Sequence, residues 1–217
     1  MLSDQEIRQA LDDGLLELDP LQPDGIEGAS YDFRVGKQAF VSNSDSVLDL
    51  ENKGLVIIDP GEFAVITTRE RVRCSAQMAG LLGLCSTYAR QGLVLLSGPQ
   101  IDPGFDGVLI VRVTNLAPRR VTLAFEAPFL TVQFFKLNNP VLVPYAGSRQ
   151  GQTGLRSGDI EELSNPDSPT MGGMVKALST LAKDVGELKG SVKGLVWAIP
   201  FVVTFGIAVI GVIVGLK

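Results

Sequence analysis

Hydroxyls, guanidiniums and a carboxylate lie between residues 84 and 115 at spacings that suit an anionic ligand. Ser86 and Thr87 open a short polar stretch whose pattern predicts a helix start, and Arg90 follows one turn later on the same face. A helix N-terminus presents unpaired N–H groups and the positive end of its dipole, so Ser86, Thr87 and Arg90 could converge on phosphate. The same residues also read as a capped surface helix with a solvated arginine. Asp102 sits in the turn Ile101-Asp102-Pro103-Gly104-Phe105. A short carboxylate on rigid backbone there can accept a hydrogen bond from a hydroxyl or a water. An aspartate before Pro-Gly is equally an ordinary turn former. Arg112 follows on a predicted strand, and its guanidinium, always protonated, cannot serve as a base.

Composition narrows the chemistry. The 217-residue chain contains no histidine, which removes imidazole acid–base chemistry, His-assisted nucleophiles and imidazole metal ligands together. Its two cysteines, Cys74 and Cys85, lack the spacing of a metal knuckle. No zinc site is therefore expected, and both read as small buried apolar residues in a reducing compartment. A net charge of −5 leaves no electrostatic footprint for nucleic acid.

The elements that must position these residues follow from local patterns. Ser3 and Glu6 form a capping box ahead of Ile7, Ala10 and Leu11, which predicts a helix stopping at Gly14. Strand-like runs at 29–35, 55–58, 63–68, 108–114, 120–125 and 129–135 are separated by turns such as Asp59-Pro60-Gly61-Glu62. This spacing predicts a mainly β domain over 1–148, a barrel or jelly roll with an N-terminal helix. Neither G-x-G-x-x-G nor a P-loop is present, which argues against a βαβ nucleotide fold.

Residues 149–170 are polar and turn-rich and read as a linker or mobile arm. Over 171–194, Met171, Met174, Leu178, Leu181, Val185, Leu188 and Val192 alternate steps of three and four, an a/d seam that predicts a coiled-coil stalk. Glycines at 172, 173, 186, 190 and 194 weaken that helix, so the stalk needs chains held together elsewhere. Residues 195–217 include roughly 22 uncharged residues in a row, about what crosses a bilayer. Lys189 and Lys193 flank the N-terminal side of this run, which predicts a single tail anchor with the preceding domain in the cytoplasm.

Taken in order, LSDQEIRQALDDGLLELDPL, GASYDFRVG, the turn Asp59-Pro60-Gly61-Glu62, the Ser86–Arg90 helix start and IDPGF resemble the dCTP deaminase and dUTPase superfamily across residues 2–154. The resemblance implies a dUTPase-like β-barrel that forms homotrimers with sites at subunit junctions. Its implied ligand is a pyrimidine deoxynucleoside triphosphate, dCTP or dUTP. Ser86, Thr87 and Arg90 would line the nucleotide site, and Asp102 would contact the deoxyribose hydroxyl or position a hydrolytic water. Gln152 and Gly154 fit a closing Q-G-Q-x-G arm, and Arg149 or Arg156 could reach phosphate from it. Mg²⁺ would accompany the phosphates in the dUTPase reaction.

The chain departs from the family where the chemistry is done. Arg112 stands where the deaminases carry the glutamate that activates water. Cys85 replaces an arginine, Val132 a glutamine, and Ser148 falls near an expected lysine. Three readings result. One is an active dCTP deaminase or dUTP diphosphatase. Another is a nucleotide sensor that has lost the deaminating base and signals to the membrane in stress or phage defence. The last is a structural scaffold reusing the fold.

Overall fold

The computed structural model describes residues 1–161 and 171–215, the side chains of 171, 175, 176, 195 and 201–215 excepted. It comprises two units, Met1–Gly172 and Gly173–Lys217. Helix α1 (Asp4–Asp12) begins as its capping box requires. The Glu6 carboxylate accepts from Ser3 N at 2.8 Å, and Ser3 Oγ accepts from Glu6 N at 3.4 Å. Ile7 and Ala10 are its buried face, and Asp13 is the C-cap.

Strands β1 (Leu16–Asp19), β2 (Ile26–Glu27), β3 (Ser30–Val41) and β4 (Leu48–Asp49) follow, then the short helix α2 (Leu50–Lys53). After them come β5 (Leu55–Ile58), β6 (Phe63–Cys74), β7 (Met78–Leu84), helix α3 (Ser86–Arg90), β8 (Leu93–Leu95) and β9 (Gln100–Ile101). The unit closes with β10 (Asp106–Asn115), β11 (Val121–Ala124), β12 (Pro128–Lys136) and helix α4 (Ser157–Glu161). Helix α5 covers Met171–Gly215. Among the described residues the main sheet runs β8-β10-β6-β3-β12-β7-β9, with β1, β2 and β4 attached at its long strands and β11 paired with β5 apart.

The predicted mainly β domain is what this antiparallel curl provides. Every predicted strand forms, and the runs at 29–35 and 63–68 extend to Val41 and Cys74. Their outer positions are charged, so Lys37, Arg69 and Arg71 hid the strand continuation from a reading of apolar residues. The β7 strand escaped prediction because glycines at 80 and 83 erase its alternation. Gly80 is needed where it is, since a Cβ there would stand 3.0 Å from Ile101 Cδ1 and 3.1 Å from Val132 Cγ1.

Tyr31, Phe33, Phe129, Phe134 and Ile66 fill the core. Within it lies an ion pair: Glu70 is fully buried, and Arg34 Nε donates to its carboxylate at 2.6 Å while Arg34 N donates at 2.9 Å. Burial pushes the Glu70 carboxyl upward against the pull of Arg34. Thr68 Oγ1 donates to Glu70 O at 2.7 Å and accepts from Leu109 N at 2.9 Å, tying β6 to β10.

The segment predicted as a mobile arm is bound to the barrel over 149–161. Gly151 N donates to Asp106 O at 2.7 Å and Val108 N donates to Gln152 O at 3.0 Å. Leu155 N donates to Gln38 Oε1 at 2.9 Å. Polar residues that look solvated in sequence here satisfy main-chain groups left open beside Gly107. The rest of the predicted linker, 162–170, lies outside the described residues. Helix α5 runs through the predicted stalk into the predicted anchor, with Pro200 inside it. Met174, Leu178, Leu181, Val185, Leu188 and Val192 are all at least half exposed along it. Among the described residues no helix is long and apolar enough to cross a membrane. The predicted anchor falls mainly on side chains outside them, at 201–217.

Candidate functional site

Two adjoining cavities open where β8, β9 and β10 meet the arm. One, about 220 Å³, is bordered by Gln100, Asp102, Phe105, Tyr145, Arg149 and Gln152. The other, about 320 Å³, is bordered by Ser97, Gly98, Arg112, Arg149, Gln152 and Asp159. Ser97, Gly98, Ile110, Arg149 and Gln152 belong to both walls.

Asp102 reaches its cavity from the turn that ends β9. Phe105 N donates to Asp102 O at 3.0 Å, and Gly104 at φ +88° turns the chain. A side chain at 104 would also strike Pro144 Cβ at 2.6 Å, so both backbone angle and packing demand glycine. The Asp102 carboxylate accepts from Gln100 Nε2 at 2.6 Å. Phe105 packs edge-on against Tyr145 with centroids 5.6 Å apart, forming the apolar floor.

Arg112 faces the larger cavity because β10 alternates. Leu109, Val111 and Val113 are buried in the core, whereas Val108, Ile110 and Arg112 share the opposite face. Its backbone is fixed: Arg112 N donates to Ser97 Oγ at 2.7 Å, and Leu96 N donates to Arg112 O at 2.8 Å. Gln152 is buried, with Nε2 donating to Val108 O at 2.7 Å and Oε1 without a hydrogen-bond partner. Gly154 lies against Gln38, whose amide oxygen leaves no room for a Cβ.

Asp159 went unnoticed in the sequence, where Arg156-Ser157-Gly158-Asp159 signals only a local turn. It is 1% exposed, and its Oδ1 lies 2.5 Å from Arg149 Nη2. Its Oδ2 accepts from Arg156 N at 2.9 Å. Burial acts to raise this carboxyl. The hydrogen bonds from Arg149 and Arg156 N, with the charges of Arg149 and Arg112, outweigh burial and hold it below the usual range. Arg156 Nη1 donates to Ser148 O at 2.7 Å, so its head is turned to the arm's own backbone.

The other predicted group stands elsewhere. Ser86 is the first residue of α3 and Cys85 its N-cap, which offers no side-chain cap bond. Ser86, Thr87 and Arg90 are exposed and border neither cavity, while Tyr88 packs on the core. Cys85 faces Asp32; burial first, then that carboxylate, pushes its thiol up to about 12. Cys74 is buried, and burial alone takes it to about 12. Val132 is wholly buried in the core between Tyr31 and Leu82 and borders neither cavity. Among the described residues no group of three or more His, Cys, Asp or Glu could hold a metal ion.

The fold is thus a curled antiparallel sheet with polar cavities at one strand edge, lined in part by Tyr145, Arg149, Gln152 and Asp159. The profile of the dCTP deaminase-like family matches residues 1–137. The dCTP deaminase of Pyrococcus horikoshii is 37% identical over 155 residues, covering 71% of this chain and 94% of that protein. That of Pyrococcus furiosus is 36% identical over 155 residues with the same coverage, 71% and 94%. The crystal structure of 2'-deoxycytidine 5'-triphosphate deaminase from Agrobacterium tumefaciens shares the fold, with a TM-score of 0.53 at 18% identity. The match covers 61% of this chain and 47% of that one, about half its length. The chain belongs to the dCTP deaminase-like family.

Proposed function

We propose that this protein binds a pyrimidine deoxynucleoside triphosphate, dCTP or dUTP, without deaminating it. The observation that carries this reading is Arg112, whose strand position turns it into the cavity beside Arg149 and Gln152. Deamination at C4 without a metal needs a group that removes a proton from water, and arginine does not release its own at any working pH. Among the described residues, the carboxylates at the cavities are Asp159, which is committed to Arg149, and Asp102.

Asp102 favours a second reading, hydrolysis between phosphates of dUTP. An aspartate on a rigid turn can orient a water for in-line attack while Mg²⁺ carried by the phosphates withdraws charge. In either case Ser86, Thr87 and Arg90 lie on a surface apart from the cavities, so they serve a site completed between copies, as in a homotrimer. The a/d stripe of α5 supports that assembly, since it is exposed in one chain and suited to burial in a parallel bundle. The uncharged run after 195 supports a tail anchor that holds the barrel at the cytoplasmic side of a membrane.

The test uses the full chain in mild detergent with dCTP, dUTP and Mg²⁺, following binding and products together. Binding without product, lost in Arg90→Ala, is the expected outcome. Release of dUMP and pyrophosphate, abolished by Asp102→Ala, would establish the hydrolytic reading instead. Appearance of dUTP from dCTP would refute the role assigned to Arg112.

A further inference from the structure

Asp159 is a carboxylate placed where a ligand's charge would be expected. It enters the larger cavity from α4, a helix of only five residues whose Ser157, Gly158 and Glu161 face solvent. There it meets Arg149 at 2.5 Å and feels the charge of Arg112. Gln152 contributes a buried Oε1 that has no hydrogen-bond partner, while its Nε2 is held by Val108 O. The cavity thus offers guanidinium donors for an anion and, beside them, an unused acceptor for an N–H or O–H. The complementary ligand carries anionic oxygens next to a donor, which is the chemistry of a nucleoside phosphate.

We propose that Asp159 is an internal stand-in for the ligand's phosphate, paired with Arg149 until a bound nucleotide displaces it and releases α4. This rests on the nucleotide-binding reading above and adds to it a residue that works against binding. A phosphate group carries more negative charge and more acceptor oxygens than one carboxylate, so it outcompetes Asp159 at these guanidiniums once present. Asp159 has the advantage of being tethered, which gives it a high effective concentration. Arg156 N on the carboxylate and Arg156 Nη1 on Ser148 O tie the helix down.

The experiment measures affinity of the full chain for dUTP, dCTP and inorganic tripolyphosphate by calorimetry, with and without Asp159→Asn. Asparagine keeps an acceptor for Arg156 N while removing the charge and the second acceptor that holds Arg149. The expected result is at least tenfold tighter binding in D159N for the nucleotides, with tripolyphosphate following if phosphate alone suffices. In the unmutated chain, saturating nucleotide should speed amide hydrogen exchange across 156–161, a readout that does not depend on how the variant folds. Equal or weaker binding in D159N, or slower exchange over 156–161 on ligand addition, overturns the displacement proposal while leaving nucleotide binding intact. Absence of binding by both proteins overturns the two proposals together.

Discussion

Replacing Gly36 by alanine should be among the most damaging single-methyl changes in this barrel. Gly36 lies where the β3–β6 ladder slips register between Val35 and Ala39. A Cβ there would stand 2.5 Å from Thr68 C and 2.7 Å from Thr67 O, and closer still to the Thr68 carbonyl oxygen. All of these are backbone atoms of β6, so no side chain can rotate away. Restoring contacts of roughly 3.5 Å requires the two strands to part by about 1 Å. That separation stretches the Gln38 N to Thr67 Oγ1 bond, now 3.2 Å, and the Thr67 Oγ1 to Gln38 O bond, now 3.1 Å. Overpacking costs about 1–3 kcal/mol and each buried group left unpaired about 1–3 kcal/mol, so a loss of about 3–5 kcal/mol is expected. With a urea slope of about 2 kcal/mol per molar, the midpoint should fall by about 2 M. The sheet signal in circular dichroism is the proper readout, because the one tryptophan, Trp197, lies in α5. Gly28→Ala is the control, as no atom lies within 4 Å of its added methyl. A Gly36→Ala loss below about 1 kcal/mol, or equal losses in the two variants, would refute the close-approach account.

Removing one partner of the buried pair, as in Arg34→Ala, should cost about 3–5 kcal/mol in urea unfolding, and the double change Arg34→Met with Glu70→Leu should recover most of it. Asp159 titrates below the usual carboxylate value in the fold, so it stabilises arm closure above the unfolded pKa of about 3.9, and this is lost as pH falls through the folded value. Protection factors over 149–161, taken against the intrinsic exchange rate at each pH, should therefore fall on acidification in the native chain and show no such step in Asp159→Asn. Cys74, which is buried, and Cys85, which is half-buried beside Asp32, are both pushed up to about 12, so they should be about one ten-thousandth thiolate at pH 8 and react slowly with iodoacetamide in the native chain; fast native labelling would contradict this account. Leu181→Asp with Leu188→Asp should lower the sedimentation mass of the full chain, and an unchanged mass would remove the seam's role in assembly.

The legible parts of the molecule were those fixed by short-range rules. The Ser3–Glu6 box, the Pro-Gly turns and the alternation of β10 each depend on neighbours in sequence, and each forms as read. The carboxylate–arginine set at the cavity was only half visible. Arg112 stood out by type, but Asp159 lies far along a stretch whose composition reads as linker. What makes it matter is a partner ten residues away, Arg149, and a cavity formed by strands much earlier in the chain. Burial of an ion pair such as Arg34–Glu70 is likewise a property of the closed sheet, and charged residues on β3 and β6 carry no mark of which one turns inward.

Strand β10 writes two scripts in alternate letters. Residues 109, 111 and 113 hold the barrel together, and residues 110 and 112 furnish the larger chamber beside it. A change at an even position can therefore rewrite what the chamber accepts while the odd positions keep the architecture solvent. That separability is how a barrel of this family can host a guanidinium at 112 and remain well folded. It also sets the limit on such drift: inserting or deleting one residue between 107 and 112 would exchange the scripts, sending Arg112 into the core and a valine into the chamber.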